Sequence, residues 1–269
     1  DMKKTLSLFA FSFALLLSPL AAQERTAAKV EKDNFQQLQL SFSTGDLRME
    51  SSKWKLETGV RQDFLRLLAD GMQPSGLVGA PNLPVWSVLI EVPVCQGYEV
   101  ALTGVEYDTV SVAMALETVQ PSYSKSDTGF HPLVMDKGIY QNDAFFAVGP
   151  LATVERVGVA RDRTLARLQV SPVSYNPVSG KVIVCRKATV TVNYLGGDEQ
   201  ASKELFERYY SPAFNSGADA INDLYPKAVR TTAPVRYVIV AHSMFREQLD
   251  DFVTWKRKKG YRTDIVYTD

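Results

Sequence analysis

The sequence predicts a mainly β protein, in which an antiparallel sandwich or barrel is followed by a truncated α/β unit. Apolar residues recur with a period of two through most of residues 35–194, and turn signals separate the short runs. Helical periodicity is scarce over the same stretch. After residue 234 the pattern changes to strand, helix and strand, which is typical of the start of a parallel sheet.

The N-terminal segment 1–22 has the pattern of a signal peptide. Two lysines precede an apolar run of 12 residues, 6–17, which is shorter than the ~20 residues that a membrane-spanning helix needs. Small residues before Gln23 place cleavage after Ala22. We therefore expect an exported protein, secreted or held at the cell surface after passage through the periplasm, with no membrane contact once the signal is removed.

The first folded unit is predicted to be a β domain over residues 35–195, preceded by a polar and mobile stretch, 23–34. Residues 85–92 form an apolar run that predicts a buried strand. The one helix predicted within this domain covers residues 61–68, just before Gly71.

Two turns are predicted in the second half of the β domain. Residues 161–163 are polar and separate two alternating runs, which predicts a hairpin. Residues 175–181 contain Asn, Pro and Gly between apolar runs, and Gly180 is available for a positive φ.

Residues 196–234 are predicted to connect two domains, because Pro and Gly interrupt them repeatedly. Residues 235–269 are predicted to begin an α/β domain, with Ser243 capping a helix and Gly260 following its end. Since one strand–helix–strand unit cannot cover both faces of its own sheet, we expect the chain to be the N-terminal piece of a longer protein.

Composition excludes several classes of site. Thirty basic and 30 acidic residues give zero net charge, which argues against nucleic acid as a partner. The basic run at 256–259 is interpreted as the favourable end of a helix. Two His and two Cys in the whole chain argue against a metal site, and no motif for a cofactor is present.

The two cysteines, Cys95 and Cys185, each end a strand-like segment. Export permits a disulfide between them, and the sequence leaves open whether they pair or stay free. Neither histidine is expected to be catalytic. His242 follows an apolar strand but has no cysteine that can be assigned to its neighbourhood, so it is interpreted as a surface or capping residue, and His131 as a loop residue.

Four stretches of the chain, in order, resemble one protein family, the gingipain-type cysteine proteases exported by Bacteroidetes. The first is GAPNLPV at 79–85 followed by IEVP at 90–93, and the second is QPSYSKSD at 120–127. The third is LQVSPVSYNP at 168–177. The fourth, DFVTWKRKKGY at 251–261, resembles the first helix of the caspase-like protease domain of that family.

The resemblance implies the propeptide of a secreted cysteine endopeptidase. Such a propeptide acts as intramolecular inhibitor and folding aid until proteolysis removes it, so the implied partners are its own downstream protease domain and the export machinery. No residue here matches the family's catalytic His and Cys, and the chain is expected to be inactive as a peptidase. The alternative is a non-inhibitory β-sandwich module that binds sugar or protein in a secreted or secretion-system protein.

The resemblance also implies which residues act. A propeptide of this kind is expected to present a basic side chain to the protease, and Lys125 is the only lysine or arginine in the loop 121–132. Lys137 and Arg161 are the next candidates. Processing is expected in the connector, after Arg230 first and then Lys227.

Arg208, which also lies in the connector, is the early alternative for processing. A protease must thread about eight to ten extended residues, so any such site has to be exposed and loosely packed.

Overall fold

The computed structural model describes residues 27–56, 58–210, 220–225 and 236–268. The predicted signal peptide therefore lies outside the described residues, as do Lys227 and Arg230. The elements, in order, are β1 Ala28–Asp33, β2 Gln37–Ser43, β3 Leu47–Lys55, β4 Arg61–Ala69, β5 Gln73–Pro74, β6 Pro84–Val92, β7 Gly97–Ser111, α1 Lys137–Tyr140, β8 Phe146–Ala147, β9 Ala152–Ala160, β10 Arg163–Val170, β11 Val173–Asn176, β12 Lys181–Leu195, α2 Glu199–Tyr209, β13 Arg236–His242, α3 Arg246–Lys258 and β14 Arg262–Thr268.

The β domain is built from antiparallel sheets. One sheet has six strands in the order β1-β2-β12-β11-β8, with β7 also pairing with β12, and a second sheet has the order β5-β6-β10-β9. Strands β3 and β4 form a separate hairpin. The described strands do not close into a barrel, so the mainly β prediction is confirmed as an arrangement of open sheets.

The main core lies between the two large sheets. Alternation along each strand buries every second side chain, and the face so formed packs against the other sheet. The six-stranded sheet contributes Leu38, Leu40 and Val190, all without solvent exposure, and the four-stranded sheet contributes Ile90 and Leu168. A second core, which includes Leu116 and Tyr175, lies beneath the β3–β4 hairpin.

The predicted helix at 61–68 is wrong, because these residues form β4. They pair with β3 over nine residues in antiparallel register, and Leu65 also exchanges backbone hydrogen bonds with Ala115 and Glu117. Phe64 is buried on this strand. Two neighbours thus satisfy the backbone groups that a helix would have satisfied internally, and tertiary pairing overrides the local pattern.

The prediction of a mobile stretch at 23–34 is wrong for its second half. Residues 28–33 form β1, which pairs with β2 so that Ala28 lies opposite Phe42. Ala28 is 5% exposed and belongs to the main core, which explains why this polar segment is ordered.

Both predicted turns are present. Arg161 and Asp162 form the two-residue turn between β9 and β10, with Arg161 at a φ of 60°. In the second turn, the Asn176 side chain accepts hydrogen bonds from the backbone N–H groups of Val178 and Ser179, each 3.0 Å long. Gly180 follows at a φ of 64°, as predicted.

The C-terminal residues form the predicted strand–helix–strand unit. Strands β13 and β14 are parallel, with Arg236 opposite Arg262, and α3 connects them. The expected cap is wrong: His242, not Ser243, caps the helical segment, since its Nδ1 accepts from the Met244 N–H at 3.2 Å. His242 is thus a capping residue. No helix among the described residues has the length and apolar character to cross a membrane.

Gly180 provides a test of the turn that leads into β12. A Cβ added there would lie 2.8 Å from the carbonyl oxygen of Val112, whereas one added to Gly45, at a similar φ of 65°, would meet nothing within 4 Å. We expect Gly45→Ala to lower the free energy of unfolding by about 1 kcal/mol through backbone strain alone. Gly180→Ala should cost at least about 1 kcal/mol more because of the steric clash.

Urea-induced unfolding of the two variants measures both effects. Equal losses at Gly180 and Gly45 would contradict the assigned close approach to Val112.

Candidate functional site

Lys125, the predicted basic residue, lies on a loop whose two ends are joined by hydrogen bonds. We call these ends, residues 118–120 and Val134, the neck of the loop. Residues 121–133, here called the Lys125 loop, run between Gln120 and Val134. The Gln120 side chain accepts from the Val134 N–H and donates to the Val134 carbonyl, both at 2.9 Å. The Thr118 hydroxyl donates to the same carbonyl at 2.6 Å. Three side-chain hydrogen bonds therefore hold the two ends of the loop together.

A second set of contacts braces the interior of the loop. The rings of Tyr123 and His131 are stacked, with centroids 3.5 Å apart and planes within 8°. The Asp127 carboxylate lies 3.2 Å from His131 Nε2. These contacts join the outgoing and returning halves of the loop. Residues 123–131 therefore form a cross-linked stem that supports the tip of the loop.

Lys125 lies at the tip of this loop. The Asp127 N–H donates to the Ser124 carbonyl at 3.0 Å, which closes a β-turn with Lys125 at its second position. The side chain of Lys125 is exposed, and within the described residues it makes no hydrogen bond or ion pair. Its ammonium group is therefore free to enter an acidic pocket of a partner.

The segment that leads into the loop is anchored by a buried carboxylate. Glu117 is 3% exposed and accepts hydrogen bonds from Arg66 Nε at 2.6 Å, Asn82 Nδ2 at 3.2 Å and Trp54 Nε1 at 3.4 Å. Burial by itself raises the pKa of Glu117, but the hydrogen bonds, that from Arg66 above all, outweigh it and leave the pKa below its usual value. The Glu117 carboxylate therefore stays charged and paired with Arg66. These three hydrogen bonds attach residues 115–120 to β3, β4 and the 79–82 turn.

The other two basic candidates lie elsewhere. Lys137 is the first residue of the short helix α1, which follows the loop, and its side chain is exposed. Arg161 lies at the tip of the β9–β10 hairpin in the other sheet. The structure does not bring these two residues together with Lys125.

The early processing candidate lies in a regular helix. Arg208 is in the last turn of α2, which Asp198 caps through a 2.9 Å hydrogen bond from the Ala201 N–H. Phe206 and Ser202 bury one side of this helix. Because a protease binds its substrate extended, cleavage after Arg208 would require the end of α2 to unwind.

Sequence reasoning missed a clamp that holds part of the connector on β6. Residues 220–225 lie along this strand, with Ala220 bridged in parallel to Leu89 and the Ile221 N–H donating to the Leu89 carbonyl at 3.0 Å. Asn222 accepts from the Glu91 N–H at 2.8 Å and donates to the Glu91 carbonyl at 2.9 Å. We call residues 220–225, Asn222 included, together with Glu91 the connector clamp.

Aromatic packing extends the clamp to α2. The Tyr225 ring stacks on Phe206 with centroids 4.4 Å apart and meets Phe35 edge-on at 5.9 Å. Leu224 and Tyr225 are 8% and 5% exposed. The segment is therefore packed as part of the β domain, and aromatic residues hold it there, as the sequence suggests for the connector.

A buried carboxyl group lies at the centre of the clamp. The side chain of Glu91 has no solvent exposure, accepts from the Leu224 N–H at 2.9 Å and lies 3.5 Å from Arg163 Nε. Burial raises its pKa to about 7, since the Leu224 hydrogen bond and the charge of Arg163 only partly offset the lost hydration, and Asp223 and Asp33 raise the pKa further. The only signal in the sequence is one carboxylate inside an otherwise apolar strand.

The cysteines do not form the disulfide that export would permit. Both thiols are free. Cys185 lies near the start of β12, whereas Cys95 is next to Gln96, whose N–H donates to Leu195 at the other end of that strand. About ten strand residues, or about 30 Å, separate the two. Burial raises the pKa of both thiols, which favours inert, protonated side chains.

Comparison with known proteins identifies the family. The Propeptide_C25 family model matches residues 55–217, more than half of the chain. The chain belongs to the Propeptide_C25 family. The Propeptide_C25 match includes the Lys125 loop and β6, and so confirms the resemblance to a gingipain propeptide.

Relatives of this Propeptide_C25 chain come from Porphyromonas gingivalis. Lys-gingipain is 32% identical over 256 residues, which are 91% of this chain and 14% of the relative. Gingipain R2 is 24% identical over 137 residues, 47% of this chain and 18% of the relative. The chain thus spans about a seventh of the length of Lys-gingipain.

Two solved structures share the fold of this Propeptide_C25 chain. One is described as giving structural insight into the zymogenic latency of gingipain K; it has a TM-score of 0.55 and 28% identity over 65% of this chain and 96% of that one. The other is a complex of the RgpB pro- and mature domains, with a TM-score of 0.54 and 16% identity over 68% and 96%. At 16% identity, the similarity to the RgpB complex shows the fold alone.

The raised pKa of Glu91 predicts that the clamp depends on pH. The folded-state pKa, about 7, exceeds the ordinary value of 4.5, so the native state binds the proton more tightly. The contribution of Glu91 to stability is fully present below about pH 4.5 and is lost as the pH rises through 7. Relative to Glu91→Gln, we expect the wild-type free energy of unfolding to fall by about 3 kcal/mol between pH 5 and pH 8.

Urea unfolding at several pH values measures this difference, and Glu155→Gln, an exposed position on β9, is the control. Wild-type and Glu91→Gln stabilities that stay parallel across this range would disprove the assignment.

Proposed function

We propose that this chain is the inhibitory propeptide of an exported cysteine endopeptidase, and that Lys125 blocks the active site of the downstream protease domain. The observation that carries the proposal is the exposed, unpaired Lys125 at the tip of a braced loop, within a chain of the Propeptide_C25 family. The ammonium group enters the pocket that receives the basic residue of a substrate and pairs with an acidic group there.

Rigidity makes such a loop an inhibitor. A loop whose bound conformation exists beforehand loses little conformational entropy on binding, so its contact energy appears as affinity. Recognition side chains are commonly carried on loops of a rigid scaffold. Here the scaffold is the paired hairpin β3–β4 together with the Glu117 anchor.

The comparisons support the proposed partner. A gingipain K structure is described in terms of zymogenic latency, and RgpB pro- and mature domains form a complex. By analogy, the propeptide binds its own protease domain, aids its folding and is exported with it, behind the signal peptide at 1–22 and through the export machinery. The endopeptidase activity belongs to the downstream domain, and the propeptide has none of its own.

The connector clamp supports processing after it and not before it. Because residues 220–225 are packed on β6 and a protease needs accessible, loosely packed substrate, we place the cleavage sites beyond them, at Arg230 and Lys227. Cleavage there leaves the β domain complete. Arg208 is a poorer site because of its helical conformation.

Replacement of Lys125 tests the inhibitory mechanism. Buried anchor side chains at interfaces typically cost about 2 kcal/mol or more when truncated. We expect Lys125→Ala to raise the inhibition constant toward the mature protease about thirtyfold, because its pocket loses its occupant.

Lys137→Ala and Arg161→Ala are matched controls, since each removes an exposed basic residue at the other candidate positions. Unchanged inhibition by Lys125→Ala, or a larger loss at either control, would remove Lys125 from the mechanism. A sugar- or protein-binding module would not inhibit the protease in any of these forms.

Terminal sequencing of the matured protease tests the processing site. The expected new N terminus follows Arg230, with a minor form after Lys227. Because the clamp and α2 are folded, Arg230→Ala with Lys227→Ala should slow maturation, whereas Arg208→Ala should leave its rate unchanged. A first cut within residues 85–194, or after Arg208, would contradict this order.

A further inference from the structure

One amide side chain supplies two of the three side-chain hydrogen bonds that close the neck of the Lys125 loop. Gln120 bonds both backbone groups of Val134, its oxygen accepting from the N–H and its nitrogen donating to the carbonyl, each at 2.9 Å. An amide carries an acceptor and donors side by side, as a backbone peptide group does, so it can take the place of a strand neighbour. Gln120 thus acts as a one-residue strand partner for the returning end of the loop.

Neighbouring groups fix the orientation of this amide. Gln120 Nε2 also contacts the hydroxyl of Thr118, which itself donates to the Val134 carbonyl. Pro121 follows and restricts Gln120 to extended backbone conformations. The backbone just before the neck is held as well, since the Val119 N–H donates to the Ala80 carbonyl at 2.9 Å.

The inner brace cannot replace the neck. The stacked pair Tyr123 and His131 and the contact between Asp127 and His131 join residues inside the loop only. Without the Gln120 bonds, the Thr118 hydroxyl would provide the one remaining side-chain bond between the loop ends that the structure describes, and the returning chain would next be held by the Asp136 N–H, which donates to the Gly79 carbonyl at 2.9 Å. Gln120 supplies two of the three side-chain bonds, so the orientation of Lys125 relative to the scaffold depends largely on it.

We propose that Gln120 is a positioning residue that makes the Lys125 loop an inhibitor instead of a substrate. This inference rests on the proposed function of Lys125. A protease hydrolyses the peptide bond after a basic residue in its active site when two conditions are met. The loop must be able to distort toward the geometry of the transition state, and the two cleaved ends must be able to separate. The closed neck opposes both, because the loop is held in one conformation and the chain on either side of the tip stays joined.

The test compares Gln120→Leu with Gln169→Leu in the full chain. Gln169 is a half-buried glutamine on β10 with one long hydrogen bond, 3.4 Å, to Ser171, so the same change in chemistry is made away from the loop. Each substitution is made with Lys125 present and with Lys125→Ala. The two readouts are the inhibition constant toward the mature protease of the same precursor and the rate at which trypsin cleaves after Lys125.

We expect Gln120→Leu to raise the inhibition constant about tenfold, or about 1.4 kcal/mol, which is less than the loss of Lys125 itself because the Thr118 hydroxyl still bonds the Val134 carbonyl. Tryptic cleavage after Lys125 should be faster by a similar factor, with a melting temperature like that of Gln169→Leu. In the Lys125→Ala background, Gln120→Leu should have no further effect on inhibition, because the positioned side chain is already gone.

Three results would overturn the proposal. Equal inhibition and cleavage for the Gln120 and Gln169 variants would show that the neck does not position Lys125. An equal loss in both Lys125 backgrounds would indicate general destabilisation. If Lys125→Ala itself inhibits like the wild type, the proposed function fails, and faster cleavage of Gln120→Leu would then reveal only a structural brace.

Discussion

The pairing of β12 is the constraint on which the β domain depends. This 15-residue strand bonds to β7 along its whole length on one edge, and to β11 and then β2 on the other. Its inward alternation is interrupted by a register shift at 185–189, where Cys185 is buried and Arg186 bonds Asp108. On either side of this shift the even-numbered residues face inward, so that Val182 and Val184 enter the second core, and Val190 and Val192 the main core. A slip of one residue would turn all of them to solvent, and one strand therefore sets the register of both cores.

Two buried carboxyl groups, Glu117 and Glu91, have pKa values that their surroundings shift in opposite directions. Glu117 is matched by the guanidinium of Arg66, so its pKa is lowered and its charge persists across the physiological range. Glu91 has Arg163 nearby but also Asp33 and the connector's own acidic residue, and burial outweighs the attraction. The base of the loop is thus anchored independently of pH near neutrality, whereas attachment of the connector is linked to a proton.

The strands could be predicted from the sequence because alternation is a local property. The error at 61–68 arose because the buried residues Phe64 and Leu67 are three positions apart, a helical spacing that breaks the alternation of a strand, and only the partners β3 and residues 115–117 show that the segment is β4. The connector clamp could not be predicted for a similar reason. Glu91 and Asn222 are 131 positions apart, and no local pattern records their contact. Lys125 could be proposed as the inhibitory residue because its loop carries a family motif, whereas the role proposed for Gln120 depends on Val134, which the fold places opposite it.

The loop and the connector clamp are separate attachments on one scaffold. The neck contacts involve residues 118–134, which rest on β4 and the 79–82 turn, while the clamp involves β6, α2 and residues 220–225. A cut beyond Tyr225 therefore breaks neither set of contacts. Under the proposed function, cleavage of the connector would convert an intramolecular inhibitor into a bimolecular one with the same binding surface, and would remove only the high effective concentration that the covalent link provides. Release of the active protease would then require a second event, either dilution of the complex below its dissociation constant or further proteolysis within the β domain.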